Sequence, residues 1–283
     1  MGRLLVIGTG LIGGSFALAA RRAGFFTEVA GFDHDQRAAR QAQRDGIIDS
    51  IPRSIASGVS GADAILVSVP TGGIATTVAD VVASQHSAKP VFDVGSVKAP
   101  ILAQLRARGA IPAQFVPCHP MAGSEVQGAG GAREDLFSDR RVFITPHEHS
   151  DPEVLERVAT LWRACGASVT LADAESHDRA VALTSHLPHL VAFAFMAHAG
   201  PRIDEVAQFA GPGFRDFTRI SGSDAHVWRH ILIDNRAAVS EELDGFMDRL
   251  EQFKLLLDGD PAALEDALAA GRQARERFLR ADD

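Results

Sequence analysis

Tyrosine is absent from this 283-residue chain, cysteine occurs twice, and lysine occurs only at 89, 98 and 254. The missing tyrosine has no explanation in the sequence. Cys118 and Cys165 are too few for a disulfide framework and suit a reducing compartment. The formal charge of −8 and a pI near 5.7 argue against a general polyanion binder, so no nucleic-acid partner is expected. The opening MGRLLVIGTG reads as a strand start with no charged n-region before an apolar stretch, so no signal peptide is expected. The longest unbroken apolar run, Leu190–Ala197, is too short to span a bilayer. Hydrophobic residues at 46% and charged residues at 23% are enough for a sizeable core. The expectation is a soluble, cytoplasmic protein, with no membrane partner, long enough for two domains.

Short apolar runs alternate with helical patterns over the first part of the chain. Residues 3–7, 28–32, 64–69, 91–94, 115–117, 142–145 and 167–171 read as strands, and the alternation predicts βαβ units with a parallel sheet. Asp151-Pro152-Glu153 is a helix start, with a capping acid and proline in the first helical position. From residue 174 the strand pattern stops and helical patterns take over, at 174–198, 224–257 and 261–280. The predicted architecture is therefore α/β: a Rossmann-type dinucleotide-binding domain over residues 1–172, then an all-helical domain over 173–283. No appended regulatory domain is expected after it. The stretch LVAFAFMA at 190–197 is apolar nearly all round and must be buried on every side. Either a subunit interface or the centre of a monomeric bundle would cover it.

Gly8-x-Gly10-x-x-Gly13 follows the first strand, opens a helix, and is followed by Asp33 at the end of the second strand. Alone the glycine pattern is weak, but this context is what dinucleotide binding requires. The glycines allow a tight turn and close approach of a pyrophosphate, the helix N-terminus faces the phosphates, and the acid takes the ribose diol. Asp33 favours NAD over NADP, since a carboxylate repels a 2′-phosphate. Gly8, Gly10, Leu11, Ile12, Gly13, Asp33, Val69 and Pro70 form the expected cofactor surface.

Ligands of such sheets lie beyond the carboxyl ends of the strands. Three clusters fall there: 69–71, 93–98 and 118–125. His119 precedes a proline, so its backbone is biased toward extended forms. A histidine on a loop at that edge is a candidate general base, although on the residues alone a structural or surface histidine is the commoner case. His177, His186 and His189 invite a metal reading, but Pro188 interrupts their common face and neither cysteine nor acids join them, so no metal is expected. His226 and His230 lack the glutamate of a metalloprotease helix.

Five segments carry a closer likeness: GTGLIGGS (8–15), DVGSVK (93–98), HPMAGSE (119–125), SHDRAVALTSHLPH (176–189) and GFRDFTRI (213–220). In this order the chain resembles the prephenate/arogenate dehydrogenase family of tyrosine biosynthesis. The resemblance implies NAD-dependent oxidative decarboxylation. Hydride leaves ring C4 of a cyclohexadienol, the C4 hydroxyl loses its proton to a base, and the ring carboxylate departs as CO2. It implies catalytic roles for His119 as base and Ser96 as the residue orienting base and nicotinamide. Arg219 would bind a substrate carboxylate, with Arg215 a weaker candidate. His189 would lie near the substrate's side chain, and His177 would support the site. Ser124, Glu125 and Trp228 would line or gate the pocket, Trp228 from its own chain or a neighbouring subunit. It also implies that the helical domain binds substrate and forms a homodimer.

Prephenate is the expected substrate, because a neutral or cationic His189 suits a keto group better than the ammonium of arogenate. An arogenate or dual-specificity cyclohexadienyl dehydrogenase is the alternative. A non-catalytic nucleotide sensor would have been free to lose Ser96, His119 and Arg219. Another hydroxyacid or imine reductase would share the glycine fingerprint without HPMAGSE and SHLPH.

Overall fold

The structure is a computed structural model that describes residues 2–123 and 128–282. It divides into two compact units, Met1–Arg236 and Ala237–Asp283. The change of character near residue 172 falls inside the first unit.

The first unit opens with β1 (Gly2–Ile7), α1 (Leu11–Arg22), β2 (Phe26–Phe32), α2 (Gln36–Arg44) and α3 (Ile55–Gly61). It continues through β3 (Ala64–Val67), α4 (Thr71–Ala83), β4 (Val91–Asp93), α5 (Ala99–Ala107) and β5 (Phe115–Val116). These five strands are parallel, in the order β2-β1-β3-β4-β5. Alternation sends β1 to both faces: Leu4 and Val6 join one apolar cluster with Phe16, Phe92 and Trp162, while Leu5 and Ile7 join another with Ile74 and Val78. Both faces are covered, so the middle of β1 reads as an unbroken apolar run.

Strand order reverses between β1 and β3, and a crevice opens there at the carboxyl ends. At Gly8 the backbone takes φ +96°, and an added Cβ would sit 2.1 Å from the Ser68 carbonyl oxygen. Only glycine fits that turn.

One residue, Pro117, separates β5 from β6 (Cys118–Pro120), which pairs antiparallel with β7 (Arg141–Ile144). After α6 (Pro152–Ala164), β8 (Ser168–Leu171) pairs parallel with β7 and completes a second, three-stranded sheet. Asp151 caps α6 as its sequence predicts, accepting the N–H groups of Glu153 and Val154.

Beyond β8 the described residues hold helices only. The predicted helix from 174 is α7 (Ala174–Val181), a five-residue π turn (Ala182–His186) and α8 (Leu187–Ala199). Short pieces follow: α9 (Ile203–Val206) and α10 (Pro212–Thr218), with 3₁₀ turns between and after them. The predicted helix 224–257 is broken at Asn235, which separates α11 (Ala225–Asp234) from α12 (Arg236–Leu257).

The stretch 190–197, expected to be buried on every side, has only Ala192 buried within the single chain. Phe195 within it is exposed, as are Phe209 and Phe217 farther along the chain, and the Phe195 and Phe217 rings pack edge to face. Residues 174–209 also contain an 18-residue window of mean hydropathy 1.5. That window is apolar enough to cross a membrane by length and composition, although polar residues break up the apolar runs within it. In the second unit, α12 is followed by α13 (Pro261–Asp282), and Leu255, Leu257 and Phe278 are solvent-exposed.

Candidate active site

A cavity of about 680 Å3 opens at the carboxyl edge of the parallel sheet, a size suited to small-molecule ligands. Gly10, Leu11 and Ile12 line it from the start of α1, and Val69 and Pro70 from the end of β3. Ser96 lines it from the β4–α5 loop, His119 from β6, and His186 and His189 from the π turn and α8. Arg219, Asp224 and Trp228 complete that side, all within the first unit.

The glycine turn fits a dinucleotide. Gly10 is the N-cap of α1 and offers no side-chain cap, so the first-turn N–H groups face outward without a side-chain acceptor. A Cβ at Gly13 would meet the Gly8 carbonyl at 2.1 Å, whereas one at Gly10 would meet nothing within 4 Å. Gly8 and Gly13 are therefore required by the fold, and the space in front of Gly10 is left for a ligand. Asp33 stands at the end of β2 outside the cavity lining. One carboxylate oxygen accepts the Thr9 N–H at 2.9 Å and the Thr9 hydroxyl at 3.2 Å, and the other accepts the Asp35 N–H at 2.9 Å.

His119 is not on a loop, as its sequence context predicts, but in β6, opposite Phe143 of β7. The extended backbone demanded by Pro120 is satisfied by strand pairing. Its Nδ1 lies 2.9 Å from His177 Nε2, and His177 Nδ1 lies 2.8 Å from Asp178 Oδ1. His177 and Asp178 are 3% and 5% exposed. The Asp178 carboxylate also accepts the backbone N–H groups of Lys98 and Ala99.

This network assigns the protons. A carboxylate only accepts, so His177 carries a proton on Nδ1, and as a neutral imidazole it presents a lone pair at Nε2. His119 must then donate from Nδ1, which leaves the lone pair on its Nε2. Burial, and after it the fields of His177, Lys98 and His186, hold the His119 pKa well below the usual histidine value. A neutral, oriented imidazole lining a cavity can act as a general base.

His186 is 1% exposed, and its Nδ1 lies 3.0 Å from the side-chain nitrogen of Asn235. The same nitrogen donates to the Asp178 carbonyl oxygen at 2.8 Å, which fixes it as the NH2 group. His186 Nδ1 is thus an acceptor, and its proton sits on Nε2. Desolvation pushes the pKa of His186 down to about 4. His189 is half-buried and donates from Nδ1 to the Ser185 carbonyl oxygen at 2.9 Å. Its ring stacks on Trp228 of the same chain, 3.7 Å between centroids. Burial is the main cause that lowers its pKa, with the charge of Arg219 adding to the effect.

Of the residues the sequence singles out, the structure brings Gly10, Leu11, Ile12, Val69, Pro70, Ser96, His119, His189, Arg219 and Trp228 to one cavity. Arg215 lies exposed on α10 and is not among the described lining residues. Ser124 and Glu125 lie outside the described residues. Sequence reasoning does not reach Asp178, His186 and Asn235 as site residues. The clustering of His177, Asp178 and His186 in one motif is a signal for the first two, and Asn235 has no local signal.

Comparison with known proteins gives this arrangement its family. Residues 16–171 match the nucleotide-binding domain of prephenate dehydrogenase, and residues 173–270 match its dimerisation domain. A cyclohexadienyl dehydrogenase of Zymomonas mobilis is 29% identical over 265 residues, 91% of this chain and 90% of that protein. The prephenate dehydrogenase of A. aeolicus, solved with hydroxyphenyl propionate and NAD+, superimposes with a TM-score of 0.85. It is 30% identical and covers 99% of this chain and 98% of its own. The arogenate dehydrogenase of Synechocystis gives 0.79 at 27% identity, covering 98% of this chain and 99% of its own. By both of its domains, the chain belongs to the prephenate dehydrogenase family.

Proposed function

We propose that the chain catalyses NAD-dependent oxidative decarboxylation of prephenate to 4-hydroxyphenylpyruvate. The observation that carries this reading is the Asp178–His177–His119 chain, which leaves a neutral His119 with its lone pair on Nε2 at a cavity containing Ser96 and Arg219. Gly10–Gly13, Val69 and Pro70 would hold NAD, which when bound would supply the hydride acceptor. His119 Nε2 takes the C4 hydroxyl proton as the carbonyl develops, and His177 shares the resulting positive charge with Asp178 behind it. Ser96 orients the base and the nicotinamide. Arg219 holds a substrate carboxylate, for which its planar guanidinium is suited. The ring carboxylate leaves as CO2, its bonding electrons complete the aromatic ring, and His119 returns the proton to the ring oxygen as the phenol forms. Asp33 supports NAD rather than NADP as the cofactor.

A second reading is favoured by His189, whose proton placement reverses the expectation that it suits a keto group better than an ammonium. With its Nδ1 proton committed to Ser185, neutral His189 offers an acceptor at Nε2, which an ammonium can use and a ketone cannot. Arogenate, or both substrates, is therefore the alternative. Steady-state kinetics with prephenate and arogenate, each with NAD and NADP, separates these cases; no turnover of either substrate overturns the reading. We also assign residues 173–283 as the substrate-binding and dimerisation domain of a homodimer, whose partner subunit would cover Phe195, Phe209 and Phe217.

A further inference from the structure

Lys98 is a fully buried cation in DVGSVK, the motif that carries Ser96, and the mechanism above leaves it unused. Its Nζ donates to Asp93 Oδ2 and, at 2.6 Å, to the carbonyl oxygen of Cys118, and both charged side chains are 0% exposed. Burying such a pair carries a desolvation cost that well-packed apolar residues would avoid. Its contacts show what apolar residues could not do. Asp93 Oδ1 accepts the Cys118 N–H at 3.0 Å, and Asp93 Oδ2 accepts the Gly95 N–H at 2.8 Å. Both backbone polar groups of the residue preceding His119 are therefore held by side chains that flank Ser96. The backbone N–H of Lys98 meanwhile donates to the Asp178 carboxylate behind His177. One residue thus touches the strand of the base and the carboxylate that orients it.

We propose that Lys98, together with Asp93, is a positioning residue for the base, fixing the backbone of His119 against the Ser96 loop. The proposal rests on the reading of His119 as the base. The groups facing His119 are His177, with Asp178 behind it, and His186 from the helical side, and Lys98 with Asp93 from the β4–α5 side; His189, Arg219 and Asp224 line the same cavity. Burial is the first cause that depresses the basicity of His119, and Lys98 adds to it after His177.

The test compares Lys98→Met and Asp93→Asn/Lys98→Met with the wild type, on whichever substrate the wild type turns over. The double variant removes the pair without leaving a lone buried carboxylate. The expected result is a kcat lowered roughly 10- to 100-fold, the scale of a misplaced catalytic group, with KM within about twofold. The acid limb of kcat/KM moves to higher pH. A lower Tm with kcat and the acid limb unchanged would make the pair merely structural and overturn the proposal. If neither variant folds, Lys98→Arg, which keeps the charge but alters the hydrogen bond to the Cys118 carbonyl, decides. A kcat lowered with KM held supports the proposal, and an unchanged kcat overturns it. Wild-type turnover reports separately on the proposed function: no turnover of either substrate overturns that reading, whereas unchanged variant kinetics overturn only this one.

Discussion

The His189 imidazole lies flat on the Trp228 indole, with planes 19° from parallel and centroids 3.7 Å apart. The stack joins α8 to α11 and shields one face of a histidine whose Nδ1 is already committed to Ser185. Aromatic pairs of this kind contribute about 0.5–1.5 kcal/mol beyond area burial. Trp228→Leu should raise the KM for substrate by up to about tenfold while changing kcat less. It should also move the His189 pKa back up toward its ordinary value, because burial is what lowers it. Steady-state kinetics and histidine NMR titration check both effects.

His119 and Arg219 are predicted to fail differently. His119→Asn should cut kcat by roughly 10²–10⁴-fold with little change in KM. Wild-type kcat/KM should rise with pH as His119 loses its proton, with that limb below the ordinary histidine value because its pKa is lowered. The limb should vanish in His119→Asn. Arg219→Gln should instead raise KM strongly and keep the limb. A His119→Asn enzyme with near-normal kcat would move the search to His189.

Acid should weaken the fold through His186. The buried ring titrates at about 4 in the folded chain, against 6.5 for an ordinary histidine. The unfolded chain therefore takes up a proton first as pH falls. Stability from this residue is fully present above about pH 6.5 and is lost progressively toward pH 4, on the order of 3 kcal/mol in all. His186→Gln should flatten that part of the stability–pH curve in urea titrations, even if it lowers the stability at neutral pH.

The glycines should separate fold from ligand. Gly10→Ala meets no neighbour within 4 Å, so its Tm should stay close to the wild type, while KM for NAD rises by about tenfold or more. Gly8→Ala must place a Cβ against the Ser68 carbonyl at positive φ, and its Tm should fall. Thermal melts with NAD kinetics distinguish the two.

The cofactor half was legible because its rules are local: an apolar strand, glycines where the chain turns, an acid at the next strand's end. The helical half was less so. Nine residues separate His177 from His186, about two and a half turns of regular α-helix, which would place them on opposite faces. The π turn at 182–186 changes that phase, and no proline or glycine within it announces the change. Asn235 was hidden for a related reason. It reads as an ordinary polar position in a long helix, yet it ends α11 and reaches both Asp178 and His186. Lys98 was visible as a residue, but the direction of its side chain depends on Asp93 and Cys118, which only the fold brings together.

The bonds from Thr9 to Asp33 bear on how this enzyme's cofactor preference can evolve. The acid proposed to read the ribose is already the acceptor that pins the turn between β1 and α1. An apolar residue there would remove the charge that repels a 2′-phosphate and at the same moment release the Thr9 amide. A neutral acceptor such as asparagine or serine would remove the charge and leave the amide a partner. The replacements open to a drifting lineage are therefore narrowed to side chains that still accept, since an apolar one would loosen the turn that faces either dinucleotide.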